Sequence, residues 1–545
     1  MNKPFAITLD PGSSRANHTG SWRTQRPVYV DRLPPCNATC PAGENIQAWL
    51  FHAEAGDYRA AWEAILGDNP LPAIMGRACY HTCEGACNRA QLDEAVGIHA
   101  VERFLGDLAI REGWPAPPPG PATGKRVLVV GAGPSGLSAA YHLARLGHAV
   151  TLRDAMPRAG GMMRYGIPRY RLPRDIVDAE IQRIVDLGVT LELGVRVPDV
   201  ATAMTEGGFD ACFAAVGAHL AKRVDIPAPD ATRILDAIGL LRRLEHADAA
   251  DAPMLGRRVV VYGGGNTALD VARTARRMGA AEAVIVYRRT QAQMPAHEEE
   301  LREALEEGVQ MRWLSTVKEL GEGELTIEKM RLGEDGKPVA TGELETIAGD
   351  TLVLALGQAV DLDALRAAPG VRFTADGTVE VGPDLMTGHP GLFCGGDMVP
   401  AERTITVAVG HGKKAARHID AYLRGRTYAP PPRHAPATAD RLNAWYYSDA
   451  ARVVQPQLEL ARRQGTFEEV HGGLDETTAL FEARRCLSCG NCFECDNCFG
   501  VCPDNAVIKL GPGRRFRIDL DFCKGCGLCA KECPCGAIDM VPEDV

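Results

Sequence analysis

Long apolar runs are missing from this 545-residue chain, and basic residues never stand more than two in a row. A membrane-spanning helix takes about 18 or more consecutive apolar residues, so none is expected. The net charge of -10, with no basic tract, argues against a nucleic-acid partner. The opening MNKPFAITLDPGSS lacks the apolar segment of a secretory leader, and a soluble cytoplasmic protein is expected. The most informative shortage is local: between Cys87 and Cys486 only Cys212 and Cys394 occur. That excludes a redox-active C-x-x-C dithiol from the long middle, and the two residues read as small buried side chains.

The remaining cysteines crowd the two ends at ligand-like spacing, which in a cytosolic chain points to metal and not to disulfides. Within RRCLSCGNCFECDNCFGVCP, residues 484–503, the bacterial ferredoxin run C-x2-C-x2-C-x3-C-P fits Cys492, Cys495, Cys498 and Cys502. Cys523, Cys526, Cys529 and Cys533 repeat it before Pro534. Two full runs ending in Cys-Pro outweigh a zinc ribbon. In such a pair the fourth cysteine of each run serves the other cluster, giving Cys492, Cys495, Cys498 and Cys533, and Cys523, Cys526, Cys529 and Cys502. Cys486, Cys489 and Cys535 are surplus to these sets.

The organisation along the chain predicts a multidomain α/β protein. IQAWLFHAEAGDYRAAWEAIL and GIHAVERFLGDLAI have helical apolar spacing, and a proline-rich linker, WPAPPPGPATG, follows at residues 114–124. We divide the chain into an N-terminal extension (1–29), a helical iron-sulfur domain (30–113), an FAD-binding domain in two parts (125–218 and 363–425), an NAD(P)H-binding domain (219–362), a linker with a helical arm (426–485), and a ferredoxin-like α+β domain (486–545). Both nucleotide domains are expected to be Rossmann-like.

KRVLVVGAGPSGLSAAYHLARLGHAVTLRDA reads as strand, Gly-rich turn, helix and second strand, with Gly131, Gly133 and Gly136 in G-x-G-x-x-G spacing and Asp154 about 20 residues on. Glycines there permit a tight turn and close approach of a pyrophosphate to a helix N-terminus; the carboxylate can accept from a ribose hydroxyl. RRVVVYGGGNTALDVARTARRMGAAEAVIVYRR repeats the pattern with Gly263, Gly265, Asn266, Thr267 and Ala268, but its second strand ends at Arg288 and Arg289. Arginines at that place suit a 2'-phosphate, favouring NADPH, with NADH as the alternative. GLFCGGDMVPAERTITVAVG resembles the segment of flavoprotein disulfide-reductase-like folds in which a Gly-Asp pair meets the ribityl chain and a helix N-terminus faces the flavin. That resemblance assigns Gly396, Asp397, Thr404 and Thr406 to FAD, makes the first turn the FAD turn, and makes 214–218 and 354–358 the crossovers between domains.

CNATCPAGENIQAWL, GRACYHTCEGACN, the two fingerprints, YRRTQAQMPA and the Gly-Asp helix, in that order, resemble the small subunit of glutamate synthase and the N-terminal half of dihydropyrimidine dehydrogenase. The resemblance implies FAD, NADPH and two N-terminal [4Fe-4S] clusters. It matches Cys40, Cys79 and Cys83 to three thiolates of one cluster, with Glu102 as the oxygen ligand. The other would take Cys36 and Cys87, and the R-C-L-x-C-G half-site that the family places upstream is missing there. Arg485-Cys486-Leu487-Ser488-Cys489-Gly490 looks like that half-site at the far end of the chain, and four clusters are expected in all. NHTGSWRTQRPVYVD, residues 17–31, resembles the opening of the delta subunit of 2-oxoacid:ferredoxin oxidoreductases. The expected function is electron transfer between NAD(P)H and ferredoxin or a partner enzyme, as the NAD(P)-coupling subunit of a 2-oxoacid oxidoreductase in a hetero-oligomer. The competing readings are the small subunit of a glutamate synthase-type amidotransferase complex and a non-redox scaffold.

Overall fold

The computed structural model describes residues 18–229, 233–246 and 253–543; the opening residues 1–17 of the expected N-terminal extension lie outside them. After the N-terminal strand comes a run of short helices whose starts follow local chemistry. Asn45 and Asp57 accept from the backbone N–H groups of Ala48 and Ala60 at the starts of Ile46–Glu54 and Tyr58–Leu66, and prolines occupy the first turns of Pro35–Thr39 and Pro72–Ala78. Helix Ile98–Arg111 closes this unit. Its apolar face packs with Trp49, Leu50 and Ile65, while Trp62, Ile74 and Met75 join the core of the next unit.

Two five-stranded parallel sheets follow. The first is ordered Leu392–Cys394, Ala211–Ala214, Arg126–Val130, Ala149–Asp154, Thr190–Leu193; the second is Gln310–Trp313, Glu282–Tyr287, Arg258–Tyr262, Thr351–Leu354, Ile234–Asp236. All neighbours are parallel. The first sheet takes an edge strand from beyond the whole of the second, so the expected interruption of the first fold is present. At the crossover Leu220–Ala221 pairs antiparallel with Gln358–Ala359, joining the outgoing and returning chain. An antiparallel sheet of Ser315–Leu320, Glu324–Leu332 and Pro338–Ala348, additional to the expected Rossmann-like pattern, covers the second unit.

The helical arm is broken into pieces. It holds only short pieces, among them Leu460–Gly465 and Glu476–Ala483, because Pro456, Gly465 and the pair Gly472-Gly473 interrupt it. It acts as a strap: Arg463 pairs with Glu306, the backbone N–H of Val470 donates to Tyr170, and Glu469 pairs with Arg77 and Arg103. Residues 20–32 are tied to the C-terminal unit. Gln25–Tyr29 pairs antiparallel with Ile538–Pro542, in register from Gln25 with Pro542 to Tyr29 with Ile538. Arg32 bonds Asp539 and the carbonyl of Gly536, and the N–H of Gly20 donates to Asp521. Among the described residues no helix is long and apolar enough to cross a membrane.

Candidate functional site

A cavity of about 460 Å3 opens at the carboxyl ends of the first sheet, where α/β folds of this kind bind ligands. Gly133 caps the helix Pro134–Arg145 without a side chain. A Cβ added to it would lie 3.8 Å from its nearest neighbour, so bare backbone faces the cavity. Ser135, in the first turn, has a buried Oγ with no partner. Together they form a cradle of unsatisfied donors suited to an anion such as the FAD pyrophosphate. The other two glycines serve the turn itself. Gly131 has φ +107° and its Cβ would meet the Ala215 carbonyl at 2.4 Å; that of Gly136 would meet the Gly131 carbonyl at 1.8 Å.

Asp154 lines the same cavity, but its two carboxylate oxygens already accept the N–H groups of Ala132 (2.6 Å) and Met156 (2.7 Å). It braces the Gly-rich turn, with one lone pair left on each oxygen for a ribose hydroxyl. Gly396 and Asp397 also line it; burial raises the Asp397 pKa, with Arg403 opposing. Thr404 caps the helix Ile405–Leu423 by accepting from the Val407 N–H and faces the cavity. Thr406 does not share that role. A helix turns about 100° per residue, so a side chain two positions on points elsewhere, and the Thr406 hydroxyl donates to Cys79 Sγ at 3.1 Å. This one helix start therefore links the cavity to the N-terminal cysteines.

At the second turn, Gly263 has φ +153° and its Cβ would lie 2.2 Å from the Ala355 carbonyl, while a Cβ on Gly265 would meet nothing within 4 Å. Gly265 caps the helix Asn266–Arg277 and leaves its N-terminus open. Thr267 faces the cavity and Ala268 is buried. Asn266 is engaged by protein: its amide donates to the Tyr80 hydroxyl and its oxygen accepts from the His297 N–H at 2.8 Å. Arg288 is exposed and Arg289 half-exposed, and neither makes an ion pair among the described residues. Tyr80 and Arg171 are cavity residues that the sequence motifs did not reveal. Arg171 pairs with Asp270 at 2.9 Å and with Glu300, bridging the two nucleotide units.

The cysteines gather into four sets. Cys40, Cys79 and Cys83 face Glu102: burial, then the charges of Glu84, Cys79, Cys40 and Glu102, raise the Cys83 thiol, and burial pushes the Cys79 thiol up to about 11. Glu102 is not a solvated helix residue. It is 6% exposed, its Oε1 accepts from Asn69 at 2.8 Å, and burial, then Glu44 and Glu180, hold its pKa well above the carboxylate range. A buried carboxyl without a cation suits a ligand position. Glu44, a second buried carboxyl bonded to Asn69, was not foreseen. Cys36, Cys87, Cys486 and Cys489 form another set, in which burial and then the partner thiols raise Cys36 and Cys486. In the ferredoxin unit Cys492, Cys495 and Cys498 face Cys533, and Cys523 faces Cys502 and Cys526, the crossed arrangement. Cys529 faces Cys523 and Cys526. Cys535 Sγ is 3.8 Å from Cys533 Sγ. Cys212 and Cys394 are fully buried on adjacent strands, as expected of packing residues.

Residues 121–412 match the family described as pyridine nucleotide-disulphide oxidoreductase, residues 23–114 match dihydropyrimidine dehydrogenase domain II with its 4Fe-4S cluster, and residues 516–539 match a 4Fe-4S binding domain. The NADP(+)-dependent formate dehydrogenase subunit beta of Moorella thermoacetica is 37% identical over 509 residues, covering 84% of this chain and 70% of that one. The glutamate synthase [NADPH] small chain of Escherichia coli K12 is 32% identical over 421 residues, covering 72% and 89%. The putative oxidoreductase YgfK of the same organism is 33% identical over 541 residues, covering 94% of this chain; the chain spans half of its length.

Proposed function

Because this chain belongs to the pyridine nucleotide-disulphide oxidoreductase family and carries 4Fe-4S domains towards both ends, we propose that it is the NADP-coupling subunit of a larger complex, exchanging electrons with a 2-oxoacid oxidoreductase. The chain is an iron-sulfur FAD and NAD(P)H oxidoreductase, and its named relatives include subunits of multi-subunit enzymes. FAD supplies the junction between two-electron hydride chemistry and one-electron transfer. Gly133, Ser135 and the first turn of Pro134–Arg145 would hold its pyrophosphate, Asp397 and Thr404 would orient its far half, and Asp154 would fix the turn. Gly265 and the open helix start behind it would hold the dinucleotide phosphates, and Arg288 and Arg289 the 2'-phosphate. Cys40, Cys79, Cys83 and Glu102 would hold the cluster next to the flavin, coupled to its cavity through Thr406.

One observation favours the 2-oxoacid reading. Within the segment that resembles a delta subunit, residues 17–31, the strand Gln25–Tyr29 pairs with Ile538–Pro542 of the ferredoxin unit. Both ends together make one module, with the flavoprotein inserted between them. The glutamate synthase-type reading is favoured by the match to that enzyme's small chain and leaves the ferredoxin unit without a role. An oxygen-free affinity purification followed by mass spectrometry separates them: thiamine-binding 2-oxoacid oxidoreductase subunits support the first, and a large amidotransferase overturns it.

A further inference from the structure

The stretch matched by the N-terminal 4Fe-4S family, residues 23–114, contains five cysteines. Three of them face Glu102, which leaves Cys36 and Cys87 two ligands short of a cluster. The missing half comes from about 400 residues away. Arg485, next to Cys486, accepts through its carbonyl from Arg89, two residues after Cys87, at 2.8 Å. Gly490, next to Cys489, accepts from the N–H of Arg32, four residues before Cys36, at 3.0 Å. Asn88 bonds Cys489 and also donates to the Ala437 carbonyl at 2.8 Å. Each cysteine pair is thus clasped by the flanking residues of the other.

Protein groups on both sides build the clasp. Arg485 is 2% exposed, and its guanidinium meets Glu482, Asp93 and the carbonyls of Glu94, Ala95 and Ala450. Glu482, itself fully buried, accepts from the N–H groups of Gly97 and Val453. Gly490 has φ +72°, and a Cβ there would lie 2.4 Å from Arg32, so the loop after Cys489 passes directly against the segment leading to Cys36. On the other side, the N–H of Gly490 donates to the Cys535 carbonyl at 2.6 Å, two residues from Cys533 of the neighbouring set.

We propose that Cys36, Cys87, Cys486 and Cys489 bind one [4Fe-4S] cluster, and that this cluster is the bridge by which electrons cross between the flavoprotein and the ferredoxin unit. Four thiolates arranged about one point are the standard ligand set for such a cluster. As a one-electron carrier it gives up on the ferredoxin side each electron it takes from the flavin side, so the net reaction is unchanged and the reductant is NAD(P)H. The position fits: Cys36 and Cys40 share one short helix and its end, placing this set beside the one that touches Thr406. Cys489 is joined through Gly490 to the backbone of Cys535.

The proposal rests on the electron-transfer reading, but its test separates the two. The parent chain, reconstituted without oxygen, should hold about sixteen irons, and Cys486→Ser with Cys489→Ser about twelve. In the double variant NADPH should still reduce FAD as in the parent, while the paramagnetic signals of the ferredoxin clusters, present with dithionite, fail to develop with NADPH. Cys36→Ser should remove the same signal as Cys486→Ser. Unchanged iron, or different signals lost in Cys36→Ser and Cys486→Ser, overturns the ligand set; ferredoxin signals developing with NADPH at the parent rate overturn the bridge. A parent whose flavin is not reduced by NADPH would overturn the functional reading alone, because iron content and dithionite spectra do not depend on it.

Discussion

In the middle of the chain the Gly-rich turns of the nucleotide cavity each sit on a strand-turn-helix unit, and Gly131, Gly133 and Asp154 lie within one βαβ unit. At the ends, Cys36 and Cys486 face one another across about 450 residues of intervening sequence, and Tyr29 touches Cys498. The middle builds its site from local turn geometry, so the site fails when the turn fails. The ends build theirs by docking distant segments through buried ion pairs, so their sites fail when the docking fails. The entropy of closing so long a loop grows only logarithmically with its length, and one buried network plus metal binding is enough to hold it.

The largest effect is expected from Gly131→Val, which forces a β-branched residue into φ +107° and sets its Cβ against the Ala215 carbonyl. Strain and overpacking together should cost about 4 kcal/mol or more, with loss of flavin measured as FAD released on heating. Iron at Cys492–Cys535 should remain; loss of all iron alongside FAD would break the contrast between middle and ends. Arg485→Leu comes next. It strands buried Glu482 and costs about 3–5 kcal/mol, read as a lower Tm with about four irons lost and flavin retained.

Replacing Arg288 and Arg289 together with Ala should raise KM for NADPH by about 10- to 100-fold and barely change it for NADH, since the phosphate contact is what is removed. Equal effects on both would reassign the arginines to a solvated face. The smallest effect is expected from Tyr29→Phe. The Tyr29 hydroxyl lies 3.2 Å from Cys498 Sγ, and hydrogen bonds to the sulfurs raise a cluster's potential. Its loss should make that cluster harder to reduce by about tenfold or less, up to about 59 mV for a one-electron couple, in a redox titration followed by electron paramagnetic resonance. No shift would mean that the N-terminal strand braces the unit without tuning it.

The same contrast governs what the sequence could reveal. The glycine turns and the two ferredoxin runs are local or repeated patterns that spacing carries, while the crossovers come from the resemblance to flavoprotein folds. Thr406 turns to Cys79 because a helix rotates about 100° per residue, and nothing in the fingerprint announces that Asn266, which lines the cavity, also bonds Tyr80 and His297. Glu44 leaves no signal, being one acidic residue among many until the fold buries it beside Asn69. Counting cysteines leaves two vacancies in the N-terminal half and three spare thiols near the C-terminus, Cys486, Cys489 and Cys535. The resemblance of Arg485–Gly490 to the missing half-site matches Cys486 and Cys489 to those vacancies, and the fold adds the contacts of Arg89, Arg485 and Arg32 that hold the two segments together. The arm reads as helical, and Pro456, Gly465 and Gly472-Gly473 limit its helices to short pieces.

The pairing of Gln25–Tyr29 with Ile538–Pro542 also sets an order of events during synthesis. Thr19 meets its partner Phe522 across 503 residues, so at about 5–20 residues per second the first strand waits roughly 25 to 100 seconds for its mate. Throughout that interval it is a bare edge able to pair with other nascent chains, while the helical unit and the first parallel sheet can already fold behind it. Slow translation, or truncation just short of residue 538, therefore leaves a folded flavoprotein with a sticky end, and the yield of the ferredoxin unit becomes a race between the ribosome and aggregation.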